Sequence, residues 1–293
     1  MKTVKFLGNE CCLLENGTLK MLVTSSIGPR ILSFGFKEGE NLLAELPNVV
    51  TELQGGGVFH FYGGHRLWHA PEQLNRTYIP DDSPVDISEL EDGLVVTQQT
   101  ELQTGLQKSM EIHLTGESQV VITHFITNHG LWDVTCAPWA ITQFKTGGTA
   151  ILPQTQTDTG MLPNRSLALW SYSDMSNPNV KWGSNFIQIS AHMNSPFKIG
   201  FPNPRGWLAY WLNGILFVKH AEYKAQGEYY DFGSSSECYC NSHFLELETL
   251  APISVIAPHT TISHIEKWDL YKDIDDPRDE KQVQLLGEKL GLE

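Results

Sequence analysis

The chain has 293 residues, of which 41% are hydrophobic, and its 34 Asp and Glu residues outnumber its 20 Lys and Arg residues to give a net charge of −14 at pH 7. This balance lacks the basic footprint with which proteins bind nucleic acid or anionic membranes, so we expect neither as a partner and favour a neutral ligand. No low-complexity tract, Pro/Ser-rich linker or block of like charge interrupts the sequence, which favours a single domain over residues 1–293.

The amino-terminal segment and the cysteines predict the compartment. Residues 1–10 lack the apolar run of a secretory signal, and no stretch approaches the roughly 20 apolar residues of a membrane span. The 5 cysteines are odd in number, and neither Cys11-Cys12 nor Cys238-x-Cys240 has the two-residue gap of a zinc knuckle or redox motif. We therefore expect a soluble cytoplasmic protein whose thiols are free and mostly buried.

Short runs of alternating polarity, separated by turn residues, recur along the chain and indicate an all-β fold. About a dozen such strands must stack their sheets to bury both faces, which gives a large β-sandwich. Hairpin turns are predicted at residues 115–118 and at Asn213-Gly214. The predicted strands cover residues 31–36, 93–100, 107–114, 119–128, 149–152, 185–191, 207–213, 215–220, 243–250 and 261–270.

The segment from Gly63 to Glu72 concentrates residue types suited to ligand recognition. Its order is Gly-Gly-His-Arg-Leu-Trp-His-Ala-Pro-Glu, and the glycines and the proline predict a loop. Hydroxyl groups bind forked donors and acceptors while the C–H face of a sugar ring binds an aromatic platform, so this loop suggests a sugar site. The alternative is a packed loop in which the tryptophan belongs to the core and the polar side chains bind backbone carbonyls. The candidate ligand-binding or catalytic residues are His65, Arg66, Trp68, His69 and Glu72.

The spacing of His65 and His69, with Glu72 following, also resembles that of a zinc motif. A four-residue spacing aligns two ligands only on a helix, and the glycines and Pro71 disfavour a helix here. We therefore expect no metal and no other cofactor.

In the predicted strand 119–128, both faces carry apolar residues and are at least half buried. His124 shares its face with Val120, Ile122 and Ile126. We interpret this histidine as a hydrogen-bonded core residue in preference to a catalytic one.

The predicted strand 243–250 carries two carboxylates on one face. Period-two alternation places Glu246 and Glu248 together with Phe244 and Leu250, about 7 Å apart along the strand. They lie either on a solvent face or on the floor of a polar groove. Because both point the same way, they cannot flank a glycosidic bond as a glycosidase pair does, whereas one of them can serve as a general base.

One helix is predicted, at the carboxyl terminus over residues 276–291. Asp276 is the expected N-cap with Pro277 at the first helical position, and Gly291 ends the helix. Leu285, Leu286 and Leu290 form an apolar stripe that should pack on the outside of the sheets.

Four segments in order along the chain resemble the galactose mutarotase-like superfamily. They are Gly-Pro-Arg-Ile-Leu-Ser at 28–33, Gly-Gly-x-Arg-x-Trp at 63–68, His-Phe-Ile-Thr-Asn-His-Gly at 124–130 and Leu-Glu-Thr at 247–249. The resemblance spans about residues 20–270 and is nearest to an uncharacterised bacterial branch. It implies an all-β galactose mutarotase-like β-supersandwich, here with a short C-terminal helix, and a concave face that binds sugar. It also implies a late-strand glutamate base, matched by Glu248 or, if the register slips by two residues, by Glu246, and an arginine that binds sugar hydroxyls, matched by Arg66.

The resemblance fails at the histidine that protonates the ring oxygen in family mutarotases. In the alignment over residues 120–144, Trp139 takes that position, and an indole is no general acid. A second alignment places His129 there, at an expected turn. Otherwise His65 or His69 would supply the acid from another direction.

The leading hypothesis is a mutarotase-like protein that binds a mono- or oligosaccharide, and an aldose 1-epimerase-type activity with Glu248 as base is left open within it. The alternative is a non-catalytic sugar-binding or sensor module without the acid, and a third is an oligosaccharide lyase or hydrolase. Arg165 is a second candidate clamp on the ligand, and its alternative is a surface loop residue held by an ordinary polar contact. The predicted groove consists of His65, Arg66, Trp68, His69, Trp139, Arg165, Glu246 and Glu248, with Glu72 beside it.

Overall fold

Two large antiparallel sheets and a separate two-stranded hairpin form the fold. The computed structural model describes residues 2–53, 56–277 and 279–292. Within them, the first sheet has 11 strands in the spatial order β1 (Lys2–Phe6), β2 (Asn9–Glu15), β3 (Leu19–Thr24), β4 (Arg30–Phe36), β7 (His65–Ala70), β12 (Val134–Phe144), β21 (Leu245–Leu250), β20 (Ser236–Cys240), β17 (Phe197–Phe201) and β14 (Ala168–Leu169), with β22 (Ser254–Ile256) paired to β12.

The second sheet has 10 strands in the described part of the chain. Their order is β15 (Val180–Trp182), β16 (Phe186–Ser190), β13 (Thr149–Pro153), β18 (Trp207–Leu212), β19 (Ile215–Ala221), β23 (Thr261–Tyr271), β11 (Gln119–Asn128), β10 (Leu106–Leu114), β9 (Gly93–Thr97) and β8 (Asp86–Glu89). The hairpin pairs β5 (Glu45–Glu52) with β6 (Val58–Gly63).

Aromatic side chains from both sheets meet between them. Phe34 of β4 lies 5.4 Å from Trp268 of β23, and Phe144 of β12 lies 4.9 Å from Phe217 of β19, measured between ring centroids. All four side chains are fully buried. The inner faces of the two sheets therefore pack against each other, and the predicted all-β sandwich is confirmed.

The predicted strands are confirmed, with ends that shift by at most three residues. Residues 119–128 form β11, and residues 115–118 and Asn213-Gly214 connect hairpins as expected. His124 is fully buried and hydrogen-bonded, and all five cysteines are free and buried, as predicted. Alternation did not reveal β12, because its residues from Cys136 to Phe144 are buried on both faces.

The carboxyl-terminal helix is shorter than predicted. It runs from Glu280 to Leu290, because the side chain of Asp279 accepts a hydrogen bond from the Gln282 amide and so forms the N-cap in place of Asp276. Gly291 closes the helix with a left-handed φ of 69°, as expected. Leu285 is 56% exposed, so the buried contact comes instead from Val283 and from the partly buried Leu286 and Leu290. Arg278 falls inside the predicted range but outside the described residues.

A second helical segment, Tyr230–Gly233, is a single turn in which Asp231 and Phe232 have left-handed φ values of 51° and 59°. Neither helix of the described ranges has the length and apolar character needed to cross a membrane.

The predicted loop at residues 63–72 is wrong, because most of it is strand β7, paired with β4 and β12. The two glycines form the tight turn that leads into β7. Gly63 and Gly64 have φ values of 90° and 78°, and an added Cβ would lie 1.9 Å from the Ala44 carbonyl oxygen and 2.0 Å from the Ile31 carbonyl oxygen, respectively. Once past this turn the chain extends, and every residue of β7 is buried.

Alternation along β7 divides its side chains between two environments. Arg66, Trp68 and Ala70 face outward from the sandwich, whereas His65, Leu67 and His69 face its interior. His69 is fully buried, and neither ring nitrogen has a hydrogen-bond partner among the described residues. Burial, helped by the charges of Lys108 and Arg76, lowers the pKa of His69 to about 2, so the folded protein holds this imidazole neutral.

This burial makes folding stability depend on pH. Below pH 6.5 the unfolded chain protonates His69 and the folded chain does not, so the free energy of unfolding should fall as the pH falls. We expect wild type to lose about 2 kcal/mol more than a His69→Leu variant between pH 7 and pH 5, measured by urea unfolding. Equal losses in the two proteins would contradict the assignment.

Candidate functional site

The candidate site lies on the outer face of three adjacent strands, β7, β12 and β21. Trp139 of β12 pairs with Trp68 of β7, and Gln143 of β12 pairs with Glu246 of β21. Ile141 lies between Arg66 and Glu248. Because directly paired residues point to the same side of a sheet, these side chains form one continuous surface.

A cavity of about 490 Å³ opens over this surface. We call it the aromatic cleft. Its walls come from the β5–β6 hairpin, the segment after β7, the segment after β14 and the β20–β21 turn. It is lined by Val49, Val50, Thr51, Phe61, Arg66, Trp68, Glu72, Tyr78, Trp139, Ile141, Tyr172, Pro196, Lys198, Tyr239, Asn241, Phe244 and Glu246.

Arg66 and Glu246 form an ion pair at the floor of the cleft. Arg66 Nη2 donates a hydrogen bond of 3.2 Å to Glu246 Oε1, and Gln143 Nε2 donates one of 3.0 Å to the same oxygen. The guanidinium carbon lies 4.3 Å from the Trp68 ring centroid, a cation–π contact. In the described part of the chain, Arg66 Nε and Nη1 and Gln143 Oε1 are buried without a hydrogen-bond partner.

The Glu246 carboxyl titrates near neutral pH. Burial raises its pKa from 4.5 to about 7, because the cost of burying the charged carboxylate exceeds the lowering effect of Arg66, and the charge of Glu248 adds to the rise. A carboxyl with such a pKa can both accept and donate a proton at physiological pH.

Lys198 joins two further carboxylates beneath the cleft. Its Nζ lies 2.7 Å from Glu237 Oε2 and 3.0 Å from Glu248 Oε2, and Trp139 Nε1 donates a hydrogen bond of 2.7 Å to the same Glu248 oxygen. Burial acts to lower the pKa of Lys198, but the two carboxylates raise it well above its ordinary value, so the lysine stays charged. Glu248 is fully buried and lies below the lining of the cleft.

Glu72 lies on the rim of the cleft. The Tyr78 hydroxyl donates a hydrogen bond of 2.6 Å to its Oε1, and the carboxylate is exposed. Burial raises the pKa of the Tyr78 hydroxyl, followed by the charge of Glu72, so this phenol stays protonated and acts as a donor.

No protein-family model and no curated protein matches the sequence. Solved structures do match. The Slr1438 protein from Synechocystis sp. PCC 6803 has a TM-score of 0.60 and 11% identity, over 93% of this chain and 100% of its own. A galactose mutarotase-like protein from Lactobacillus casei ATCC 334 has a TM-score of 0.58 and 11% identity, over 89% of this chain and 100% of its own. A provisionally assigned aldose 1-epimerase from Escherichia coli K12 has a TM-score of 0.54 and 12% identity, over 89% of this chain and 99% of its own.

This chain has the galactose mutarotase-like fold. At these identities the similarity shows the architecture and not the activity. Of the site residues predicted from the sequence, the structure brings five together in the aromatic cleft of this fold. They are Arg66, Trp68, Glu72, Trp139 and Glu246.

The two candidate acids lie on the opposite face of β7. His65 is fully buried between the sheets, where its Nδ1 lies 2.9 Å from Thr142 Oγ1 and its Nε2 lies 2.7 Å from His124 Nε2. His69 shares that face. The β7 backbone separates both imidazoles from the cleft, so the expectation that they form part of its wall is corrected.

Arg165 also lies apart from the cleft. It is exposed, its Nη1 donates a hydrogen bond of 2.6 Å to the Ser184 carbonyl oxygen, and its Nε contacts Asn164 Oδ1 at 3.2 Å. The alternative interpretation, a surface loop residue held by ordinary polar contacts, agrees with these bonds.

Lys198 and Tyr172 line the cleft but were not predicted from the sequence. Lys198 follows a period-two pattern in β17, Phe-Lys-Ile-Gly-Phe, where a lone lysine sits in a strand that is otherwise buried. A charge inside such an apolar run indicates a buried partner. Tyr172 belongs to the segment Trp-Ser-Tyr-Ser-Asp at 170–174, which mixes aromatic and polar residues as residues 63–72 do.

Removing Lys198 should leave two carboxylates buried without their cation. We expect Lys198→Met to lower the free energy of unfolding by about 3–5 kcal/mol, measured by urea unfolding at pH 7. The matched control is Lys145→Met, which breaks the half-exposed ion pair with Glu45 and should cost less than about 1 kcal/mol. Similar losses in both variants would contradict the burial of the Lys198 cluster.

Proposed function

We propose that this protein binds a mono- or oligosaccharide in the aromatic cleft. The observation that carries the proposal is the Arg66–Glu246–Gln143 cluster, which places hydrogen-bond donors and acceptors side by side at the floor of a cleft walled by aromatic rings. A sugar hydroxyl both donates and accepts a hydrogen bond, so a floor of mixed character suits adjacent hydroxyls on one ring.

The unpartnered atoms on this face of the sheet support a polyhydroxylated ligand. Among the described residues, the buried atoms without a hydrogen-bond partner include the donors Arg66 Nε and Nη1 and the acceptor Gln143 Oε1. Each such atom costs about 1–3 kcal/mol while it stays unpaired. A ligand that supplied only acceptors would leave Gln143 Oε1 unpaired.

The cleft walls suit the apolar faces of a sugar ring. Trp68, Tyr78, Trp139 and Tyr239 present aromatic surface around the floor, and Tyr172 is 44% exposed. The volume of about 490 Å³ lies within the usual range for small-molecule sites. The mutarotase-like names of the structural neighbours agree with a saccharide ligand, and the five free thiols agree with a reducing, cytoplasmic location.

A second candidate function is that of an aldose 1-epimerase-type isomerase. Glu246 favours it, because this carboxyl lines the cleft and has a pKa near 7, as a general base requires. Glu248 is less suited to that role than Glu246, because its carboxylate is buried against Trp139 and Lys198. Binding without turnover ranks first because no histidine lies among the described residues that line the cleft.

Calorimetry with neutral and acidic monosaccharides and short oligosaccharides tests the binding proposal. For a saccharide that binds, we expect Tyr172→Ala to weaken affinity by about 2- to 10-fold through loss of ring stacking. The control variant is Trp132→Ala, which removes an aromatic side chain that is 81% exposed and lies outside the cleft lining. Its affinity should equal that of wild type, and failure of wild type to bind any saccharide would contradict the proposal.

Anomer exchange separates the two candidate functions. A freshly dissolved aldose that binds should approach equilibrium at its uncatalysed rate when wild type is added, as followed by polarimetry or NMR. An acceleration that Glu246→Gln abolishes would replace the binding proposal with the isomerase. New reducing ends from a bound oligosaccharide would favour a hydrolase or lyase instead.

A further inference from the structure

A cluster of metal-ligand types lies inside the sandwich, on the side of β7 away from the cleft. His65 comes from β7, His124 from β11 and Glu266 from β23, and all three side chains are fully buried. One ligand atom from each lies within 4.8 Å of the other two. The closest pair is His65 Nε2 and His124 Nε2, at 2.7 Å, and Glu266 Oε2 lies 4.0 Å from His65 Nε2.

A second contact fixes the orientation of each of these side chains. His124 Nδ1 donates a hydrogen bond of 3.0 Å to the His264 carbonyl oxygen, which leaves its Nε2 as a bare lone pair. His65 Nδ1 lies 2.9 Å from Thr142 Oγ1, and Trp268 Nε1 donates to Glu266 Oε2 at 2.9 Å. Metal-binding histidines are held in this way, with the remote ring nitrogen bonded to a carbonyl or hydroxyl and the near one aimed at the ion.

We propose that His65 Nε2, His124 Nε2 and Glu266 Oε2 bind a divalent first-row transition metal ion, with Zn²⁺ as the reference ion. Two imidazoles and one carboxylate form a donor set that suits Zn²⁺, Co²⁺ or Fe²⁺. This site is separate from the aromatic cleft and does not depend on saccharide binding.

Metal binding at this site requires a shift of one proton within His65 and no change in the charge of either imidazole. In the metal-free protein, His65 Nε2–H donates to His124 Nε2 and the Thr142 hydroxyl donates to His65 Nδ1. On metal binding, the His65 proton moves from Nε2 to Nδ1 and is donated to Thr142 Oγ1, so both Nε2 lone pairs face the ion. Tetrahedral coordination at about 2.0–2.1 Å separates two nitrogens by about 3.3 Å, so the rings must part by about 0.6 Å.

Glu266 can serve the ion and Lys219 at once through different oxygens. Lys219 Nζ lies 2.9 Å from Glu266 Oε1, whereas Oε2 is the oxygen nearest to His65. Lys219 also donates a hydrogen bond of 3.0 Å to the Leu247 carbonyl oxygen, so it has an anchor independent of Glu266.

One cavity approaches the cluster through His264. A cavity of about 430 Å³ is lined there by Pro138, Ala251, Ser254 and His264, among others. The His264 ring lies 5.9 Å from the His124 ring, measured between centroids. His264 therefore both lines this cavity and neighbours the nearest proposed ligand.

The test uses tag-free, chelator-treated wild type titrated with Co²⁺. We expect one ion per chain with visible absorption bands, and loss of those bands when Zn²⁺ is added. His124→Gln and Glu266→Gln should each weaken Co²⁺ affinity by at least about 10-fold. The matched control is His243→Gln, an exposed histidine outside the cluster, which should bind as wild type does.

Two results would overturn the proposal. The first is wild type that takes up less than about a tenth of an ion per chain at micromolar Co²⁺ or Zn²⁺. The second is a folded His124→Gln variant that binds as much metal as wild type. If the variants do not fold, X-ray absorption of Zn²⁺-loaded wild type decides, because the proposal requires two imidazole ligands at about 2.0 Å and a spectrum without imidazole refutes it.

Discussion

Burial on both faces of β7, β12 and β21 is the constraint on which the rest of this structure depends. These adjacent strands form the outer floor of the cleft and the inner wall of the sandwich, so every side chain must find partners on one side or the other. Because successive side chains along a strand point to opposite faces, each position belongs to one face only. A polar residue at one position meets the aromatic cleft, and a polar residue at the next position meets the core.

The two faces satisfy their charges in different ways. On the outer face, Glu246 and Glu248 find cations in Arg66 and Lys198, and tryptophan rings cover both cations. Against the inner face, Glu266 and Lys219 of the second sheet pair with each other amid neutral histidines, whose pKa values burial lowers. Such buried pairs contribute little net stability, but removing one partner is costly. They therefore fix side-chain positions on both surfaces of the sheet.

Much of this architecture could be predicted where the alternation of the sequence is clear. In 119–128 and 243–250 the period of two was visible, so the shared face of Glu246 and Glu248 and the burial of His124 followed from it. In 63–72 the paired glycines suggested a loop, although they only let the backbone pass close to Ala44 and Ile31. A loop has no alternation, so the inward direction of His65 and His69 could not be predicted. Pairings between distant strands, such as Lys198 with Glu248, depend on a sheet order that no local pattern contains.

The strongest indication about activity lies in the partners of Trp139. The resemblance to mutarotases places this indole where the family has its acid histidine, and in the structure its Nε1–H donates to Glu248, the residue matched to the family base. One residue therefore both lacks the acid function and occupies one carboxylate oxygen of Glu248. Lys198 contacts the same oxygen, so this side of the carboxylate is fully occupied by protein groups. Two residues earlier in the same strand, the Glu246 carboxyl lines the cleft, and burial raises its pKa to about 7, so the two carboxylates of one strand face lie in different environments.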